Sequence, residues 1–131
     1  MVGEKIMRSL NFRHSDFDKI INGKKRNTIR GLYVPTFVEG DSVLFKEILK
    51  NKEVGRTLIA RISYVRPIRV KDINDSIAIC EGFKSKEESI NFLKGTYNLK
   101  SLKRWVFVIW WDKISELKRQ TKLREFTNGR L

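Results

Sequence analysis

The chain has 131 residues, of which 40% are hydrophobic, so it is long enough to fold as one ordinary domain around a single core. Its 28 basic and 15 acidic residues give a formal net charge of +13, with the cations spread along the whole chain. This excess predicts an anionic partner, nucleic acid before any other, and the lack of an 18-residue apolar stretch argues against a membrane protein.

Cysteine and histidine each occur once in the sequence, as Cys80 and His14. One cysteine excludes an intramolecular disulfide and points to a reducing compartment, and MVGEKIMRSL lacks the apolar core of a secretory signal. We therefore expect a cytoplasmic protein. With one histidine and one cysteine the usual metal-ligand spacings are missing, so neither a metal nor a cofactor is predicted.

The N-terminal third predicts a strand, a helix and a second strand. Alternation of residue types over Ile6–Phe12 favours a strand with apolar residues on both faces. A helix should follow over Ser15–Asn22, with Ser15 as its N-cap and Gly23 in the left-handed conformation just after its end. Residues 26–30 are then expected to be extended.

The segment Gly23–Arg30 is the best candidate for a functional site. It holds four cations and one hydroxyl in eight residues, and no acidic residue lies between Asp18 and Glu39. If residues 26–30 are extended, one face carries Arg26, Thr28 and Arg30 while Asn27 and Ile29 point the other way.

Further strands and helices are predicted from residue 41 to residue 111. Strands are expected over Asp41–Ile48 and Thr57–Val65, joined by a turn, and residues 66–84 are expected to be irregular or to contain a short helix around 75–80. Ser85 and Glu88 form a capping box for a second helix that should end at Gly95. The run Trp105–Trp111 is apolar throughout and predicts a strand buried on both faces.

Residues 112–131 are expected to form a basic helical extension to a domain that spans residues 1–111. Five or six strands interrupted by two short capped helices fit an α+β fold, a small mixed β-barrel. There are too few crossover helices for a doubly wound sheet. The extension contributes three further cations to the candidate nucleic-acid surface: Lys118, Arg119 and Lys122.

The residue types of the basic loop allow two kinds of chemistry. Ammonium groups, backbone N–H groups and the Thr28 hydroxyl could bind a phosphate, although the spacing is not that of a Walker loop. Alternatively, a buried Lys25 with a lowered pKa could deprotonate Thr28 or a water, with a loop carboxylate such as Glu81 completing the set. A solvated turn without a function remains a third interpretation.

Several of these residues together resemble the ASCH domain. The resemblance rests on Gly23, Lys25, Thr28 and Arg30 in a GxKxxTxR pattern, and on an EGF tripeptide that begins at Glu81. Strand Leu10–Phe12, the pair Gly40-Asp41 and the Ser85 helix occur in the matching order, so the resemblance covers about residues 6–111. It implies a fold similar to the PUA RNA-binding barrel.

The resemblance implies two functional branches. Many ASCH domains are regarded as RNA-binding modules, while some small members are acetylcytidine amidohydrolases, and a nuclease activity has been ascribed to others. By motif position, Thr28 would be the nucleophile, Lys25 its activating base, and Glu81 the group that positions or transfers the proton. Arg30 would hold anionic charge.

Our leading hypothesis is a module that binds RNA, or single-stranded DNA, through a basic cleft. The cleft would be built by Lys24, Lys25, Arg26, Thr28 and Arg30. The alternative is an amidohydrolase acting on an acetylated cytosine nucleoside. The third hypothesis is an adaptor for an acidic protein partner, and the oligomeric state is left open.

Overall fold

The computed structural model describes residues 7–32 and 34–116, which form five strands and three α-helices. No helix within these ranges is both long enough and apolar enough to cross a bilayer. A 3-10 turn, Val70–Asp72, links two of the elements. In chain order the elements are β1 (Ser9–Arg13), α1 (His14–Ile21), β2 (Asn27–Gly31), β3 (Ser42–Ile48), β4 (Val54–Arg69), α2 (Asp75–Glu81), α3 (Lys86–Tyr97) and β5 (Trp105–Glu116).

The strands form one curled sheet in the order β1-β3-β4-β5-β2. β1 and β3 are parallel, and the other pairs are antiparallel. The register of β4 against β5 shifts on both sides of Ile62, and such irregularities let a long strand pair bend. The resulting half-barrel with three helices confirms the predicted α+β fold with a small mixed barrel.

The core consists of two apolar clusters that both include β5. Ile109 and Trp111 belong to the cluster with Phe17 and Phe45, whereas Val106 belongs to the cluster with residues of α3 and β2. Strand β5 is therefore buried on both faces over most of residues 106–111, as its apolar run predicted, but Trp105 at the start of that run is exposed. It fixes the position of β2, its edge partner, which carries part of the candidate site.

The first helix begins earlier than the sequence predicted. Arg13 occupies the N-cap position without a side-chain cap bond, and Ser15 lies inside the helix, so the predicted Ser15 cap is wrong. The reason is that β1 runs directly into the helix, which leaves no free residue for a cap. The helix ends as predicted, with Gly23 in the left-handed region at φ +83.

Helix α3 begins at its predicted cap. The Ser85 side chain accepts a hydrogen bond from the Glu88 backbone N–H, which confirms the cap. Gly95 lies within α3 rather than ending it, because Asn98 takes the left-handed C-cap position. The 75–80 segment is a full α-helix, so the domain has three helices instead of two.

The expected helix from residue 112 onward is wrong over residues 112–116. Strand β5 continues to Glu116, where it still pairs with β4. The Arg61 guanidinium binds the Asp112 carboxylate through two hydrogen bonds of 3.0 and 2.7 Å, which ties the two strands together there. The strand therefore crosses the proposed division at 111/112, and Lys118, Arg119 and Lys122 lie outside the described residues.

Candidate functional site

A pocket of about 200 Å³ opens between α1, β2 and the α2–α3 pair. We call it the Lys25 pocket, because the buried Lys25 lines it together with Thr28, Arg30 and Glu81. Three of the four side chains come from one eight-residue segment, and Glu81 comes from the end of α2. The structure thus brings the proposed Lys, Thr and Glu set into one pocket.

Lys25 is held by the turn that ends α1. Gly23 reverses the chain, and the Lys25 backbone N–H donates to the Lys19 carbonyl at 2.9 Å. The side chain is only 4% exposed. Its ammonium group donates to the backbone carbonyl of Glu81 at 2.9 Å, so the lysine clamps the end of α2.

Thr28 and Arg30 project from the same face of β2, as the strand alternation predicted. The Arg30 Nε donates to the Thr28 hydroxyl oxygen at 3.1 Å, and another guanidinium nitrogen donates to the Asn11 carbonyl at 2.9 Å. The guanidinium also lies 4.7 Å from the centre of the Phe12 ring. Arg30 therefore holds the Thr28 oxygen in place, and the Thr28 hydroxyl can still donate its proton to another acceptor.

Glu81 is the last residue of α2 and is 4% exposed. Its carboxylate accepts a hydrogen bond from the Ser89 hydroxyl at 2.8 Å and another from the backbone N–H of Ile29. Ile29 directly follows Thr28 in β2, so the carboxylate lies beside the threonine's own strand. Gly82, at φ +105, then turns the chain away from the pocket.

Burial moves the two ionisable groups of the pocket toward their neutral forms. Desolvation lowers the pKa of Lys25 to about 8, although the charge of Glu81 opposes the shift. Desolvation raises the pKa of Glu81, against the opposing effects of Lys25 and of the bonds from Ser89 and Ile29. A lysine that can lose its proton close to neutral pH, in a pocket, is a typical mark of a functional site.

Two predicted residues do not line the pocket. Lys24 is exposed, and its backbone N–H donates to the Asn22 side chain. Arg26 precedes β2, and its guanidinium donates to the Cys80 sulfur at 3.0 Å. The predicted face of Arg26, Thr28 and Arg30 is therefore wrong at Arg26, because contacts with α2 turn this side chain away from the strand's pocket face.

Other pocket residues were missed by the sequence reasoning. Asp16 lines the pocket from α1 and pairs with Arg13 at 3.2 Å, and Phe83 packs on Phe92 with ring centres 5.3 Å apart. Phe83 belongs to the EGF tripeptide, so the resemblance could have indicated it. No pattern in the sequence near Ser89 indicates its role, because its hydrogen bond to Glu81 joins two different helices.

The arrangement can bind a small polar ligand and exchange protons with it. Lys25, Glu81 and Thr28 offer a base, an acid and a hydroxyl, and Arg30 adds a fixed positive charge. Residues 7–32 and 34–116 contain no group of three His, Cys, Asp or Glu side chains placed to hold a metal ion.

Solved structures resemble this fold along most of the chain, although no family model and no curated sequence matches it. A protein of the family model DUF984 from Enterococcus faecalis V583 aligns with 15% identity over 88% of this chain and 84% of its own, with a TM-score of 0.63. The ASCH domain from Lactobacillus crispatus JV V101 aligns with 15% identity over 85% and 80%, with a TM-score of 0.59.

A variant of the ASCH protein ZmASCH from Zymomonas mobilis, in which one tyrosine is replaced by phenylalanine, aligns with 13% identity over 89% of this chain and 78% of its own. Its TM-score is 0.55. At these identities the likeness concerns the fold. The ASCH-like fold that the motifs predicted is confirmed.

Proposed function

We propose that this chain binds single-stranded RNA and that the Lys25 pocket receives one of its bases. The observation that carries the proposal is a pocket lined by buried ionisable groups and by arginine, in a chain of net charge +13. ASCH domains, whose fold this chain shares, are proposed to bind RNA.

The pocket suits a base better than a duplex. About 200 Å³ is less than the volume of most pockets for drug-sized ligands, and a paired base cannot leave its stack without cost. The Thr28 hydroxyl and the Glu81 carboxyl could bond the edge of an unstacked base. Phe83 and Phe92 supply apolar walls for its ring.

Arginines beside the pocket could hold the phosphates that flank such a base. Arg13 is exposed and lies 5.1 Å from the Phe92 ring, and Arg30 is half-buried on β2. Each phosphate neutralised on a single strand changes log K by about −0.7 per unit of log salt. Binding should therefore weaken steeply as salt is added.

Fluorescence anisotropy with a labelled oligouridine of about 12 nucleotides tests the proposal at two salt concentrations. Arg30→Gln is expected to weaken binding about ten-fold, because it removes a charge-assisted contact. Arg61→Gln is the matched control, since this arginine pairs with Asp112 and does not line the pocket. Absence of micromolar binding, or affinity that does not change with salt, would overturn the proposal.

The lowered pKa of Lys25 favours a second candidate function, hydrolysis of an acetylated cytosine amide. Neutral Lys25 would take the Thr28 hydroxyl proton as the threonine oxygen attacks the acetyl carbonyl. The amine of cytosine then leaves with a proton, and water releases acetate from the acetyl-threonine. In the structure the Lys25 amine bonds the Glu81 carbonyl, so it would have to turn toward Thr28.

Acetate release from acetylcytidine tests this second candidate. Turnover should disappear in Thr28→Val, which keeps the shape of the side chain, and persist in the control Thr57→Val on β4. The amidohydrolase hypothesis fails if the wild-type protein releases no acetate. If Thr28→Val retains full turnover, Thr28 is not the nucleophile.

A further inference from the structure

A second concave surface lies at the other end of α2 from the Lys25 pocket. It has a volume of about 370 Å³ and is formed where β4 ends and β5 begins. We call it the Trp105 cleft, defined by Arg66, Arg69, Asp72, Asn74 and Trp105. None of its lining residues lines the Lys25 pocket, so the proposed base pocket does not explain this cleft.

Trp105 is unusual among the tryptophans because its side chain is 56% exposed. The Arg69 guanidinium lies 4.7 Å from the centre of its ring, and the two residues are register partners on β4 and β5. Trp111, by contrast, packs in the core against Phe45. The guanidinium covers one face of the indole, so a flat group can stack only on the other.

Two arginines lie at the Trp105 cleft, and further cations occur in the two segments that flank it. Arg66 and Arg69 line the cleft itself. The Val70 N–H donates to the Arg104 carbonyl at 3.0 Å, and the Lys71 N–H donates to the Leu102 carbonyl at 2.9 Å. These bonds hold the 3-10 turn against the segment before β5, and both segments carry exposed cations: Lys71, Lys103 and Arg104.

We propose that the Trp105 cleft is a second contact site for single-stranded RNA, in which a base stacks on Trp105 and the adjacent phosphate binds Arg66. An exposed aromatic ring set among cations is the usual platform for unpaired nucleic acid. Asp72 is the acidic residue that lines the cleft, and with Arg66 and Arg69 the lining keeps a positive excess. The inference rests on the proposed RNA-binding function and extends it to another nucleotide of the same strand.

Helix α2 sets the spacing of the two sites. Glu81, at its C-terminal end, lines the Lys25 pocket, while Asn74 and Ile77, at its N-terminal end, line the Trp105 cleft. A helix of seven residues is about 10 Å long. A single strand with one base in the pocket would have to run along this helix to place another of its nucleotides in the cleft.

Comparing an oligonucleotide with a mononucleotide tests the inference. Trp105→Ala is expected to bind an oligouridine of about 12 nucleotides roughly ten-fold more weakly than wild type, because base stacking is lost. Uridine monophosphate should lose much less affinity, because a single nucleotide can still bind in the pocket when the cleft is disabled. Trp105→Phe should retain most of the oligonucleotide affinity, and Lys50→Ala, which removes an exposed cation in the β3–β4 turn, should change it little.

The outcomes separate the two proposals. If wild-type protein binds the oligonucleotide and Trp105→Ala binds it equally well, the cleft is not a contact site while the RNA function stands. Equal losses for oligonucleotide and mononucleotide would also overturn the inference, because the effect would then come from the pocket or the fold. If wild-type protein binds neither probe, the RNA function fails and the cleft proposal fails with it.

Discussion

Two buried glutamates in this domain have opposite electrostatic environments. Glu47 on β3 is 2% exposed and Glu81 on α2 is 4% exposed. The pKa of Glu47 is lowered while that of Glu81 is raised. Desolvation is the main cause of the raised pKa of Glu81, whereas hydrogen bonds from Arg56 outweigh desolvation at Glu47.

Glu47 is bonded by the guanidinium of Arg56. Arg56 donates to the carboxylate from its backbone N–H at 2.9 Å, from Nε at 3.0 Å and from Nη2 at 2.7 Å, and His14 bonds it as well. The side-chain bonds from Arg56, more than any other factor, lower the pKa of Glu47 to about 2. The same guanidinium also pairs with Asp18 of α1 at 2.7 Å. This network fastens α1 to the sheet.

Glu81 has neutral donors in place of an arginine. Ser89 and the Ile29 N–H bond its carboxylate, and the lysine nearby donates to the backbone carbonyl. A carboxyl held in this way remains able to take up a proton. Glu47 is a structural ion pair, whereas Glu81 has the environment expected of a ligand-binding or proton-transferring group.

Removal of the Glu47 carboxylate should have the largest effect on stability. Glu47→Ala is expected to lower the free energy of unfolding by about 3 kcal/mol, because it leaves Arg56 without its main partner. Urea denaturation measures the change, and Glu39→Ala, at an exposed loop glutamate, is the control. RNA affinity should be unchanged, and a stability loss below about 0.5 kcal/mol would contradict the structural role of Glu47.

Acid should destabilise the protein through the same residue. The folded pKa of Glu47, about 2, lies below its ordinary value of 4.5, so its stabilisation is complete above pH 4.5 and is lost as the pH falls toward 2. The loss amounts to about 2 to 3 kcal/mol. The pH dependence that Glu81 gives to folding stability has the opposite sign. Because its pKa is raised in the folded protein, Glu81 contributes most to stability at low pH, and this contribution is lost as the pH rises.

Denaturation curves of wild type and Glu47→Gln between pH 2 and pH 5 check this prediction. The variant should show the smaller decrease in stability across that window. If both proteins lose stability in parallel, other carboxylates control the acid transition.

Local patterns in the sequence predicted most of the fold. Strand alternation located β3 and the central part of β4, the Ser85 cap located α3, and the apolar run of residues 105–111 located the strand shared by both clusters. The predictions failed at boundaries. At Ser15 and at residue 112 the continuation of a neighbouring strand prevailed over local preference.

The candidate site was less accessible to sequence reasoning. Thr28 and Arg30 followed from β-strand periodicity. The residues alone offered Glu81 only as a weak candidate to join Lys25, 56 positions away, and the family resemblance strengthened that connection. The Glu47 network was not predicted, because its bond to His14 joins residues 33 positions apart and neither residue has a distinctive neighbourhood. Contacts between distant segments depend on the folded sheet, so periodicity and caps do not show them.

Gly55 offers a gentler way to disturb the Glu47 network. A Cβ at this position would lie 2.6 Å from the Glu47 Oε1 and 3.0 Å from the Leu49 side chain, so Gly55→Ala should displace the carboxylate from Arg56. We expect a loss of about 2 kcal/mol in the free energy of unfolding. Gly95→Ala is the matched control, because nothing lies within 4 Å of its Cβ and it sits in α3. That control should stabilise slightly; equal effects of both variants would contradict the steric argument.

The smallest effect on stability is expected for Glu81→Gln, which also separates the two glutamates most clearly. Glutamine keeps the acceptor oxygen for Ser89 and removes a charge that is costly to bury, so the free energy of unfolding should change by less than about 1 kcal/mol.

Loss of the negative charge in Glu81→Gln should lower the pKa of Lys25 below its value of about 8, because Glu81 is the main group that raises it. The pH dependence of lysine side-chain NMR shifts measures this pKa. Glu47→Gln, which changes a carboxylate that does not line the pocket, should leave it in place. An unchanged Lys25 pKa in Glu81→Gln would mean that the two groups are not coupled and that burial alone sets the pKa of Lys25.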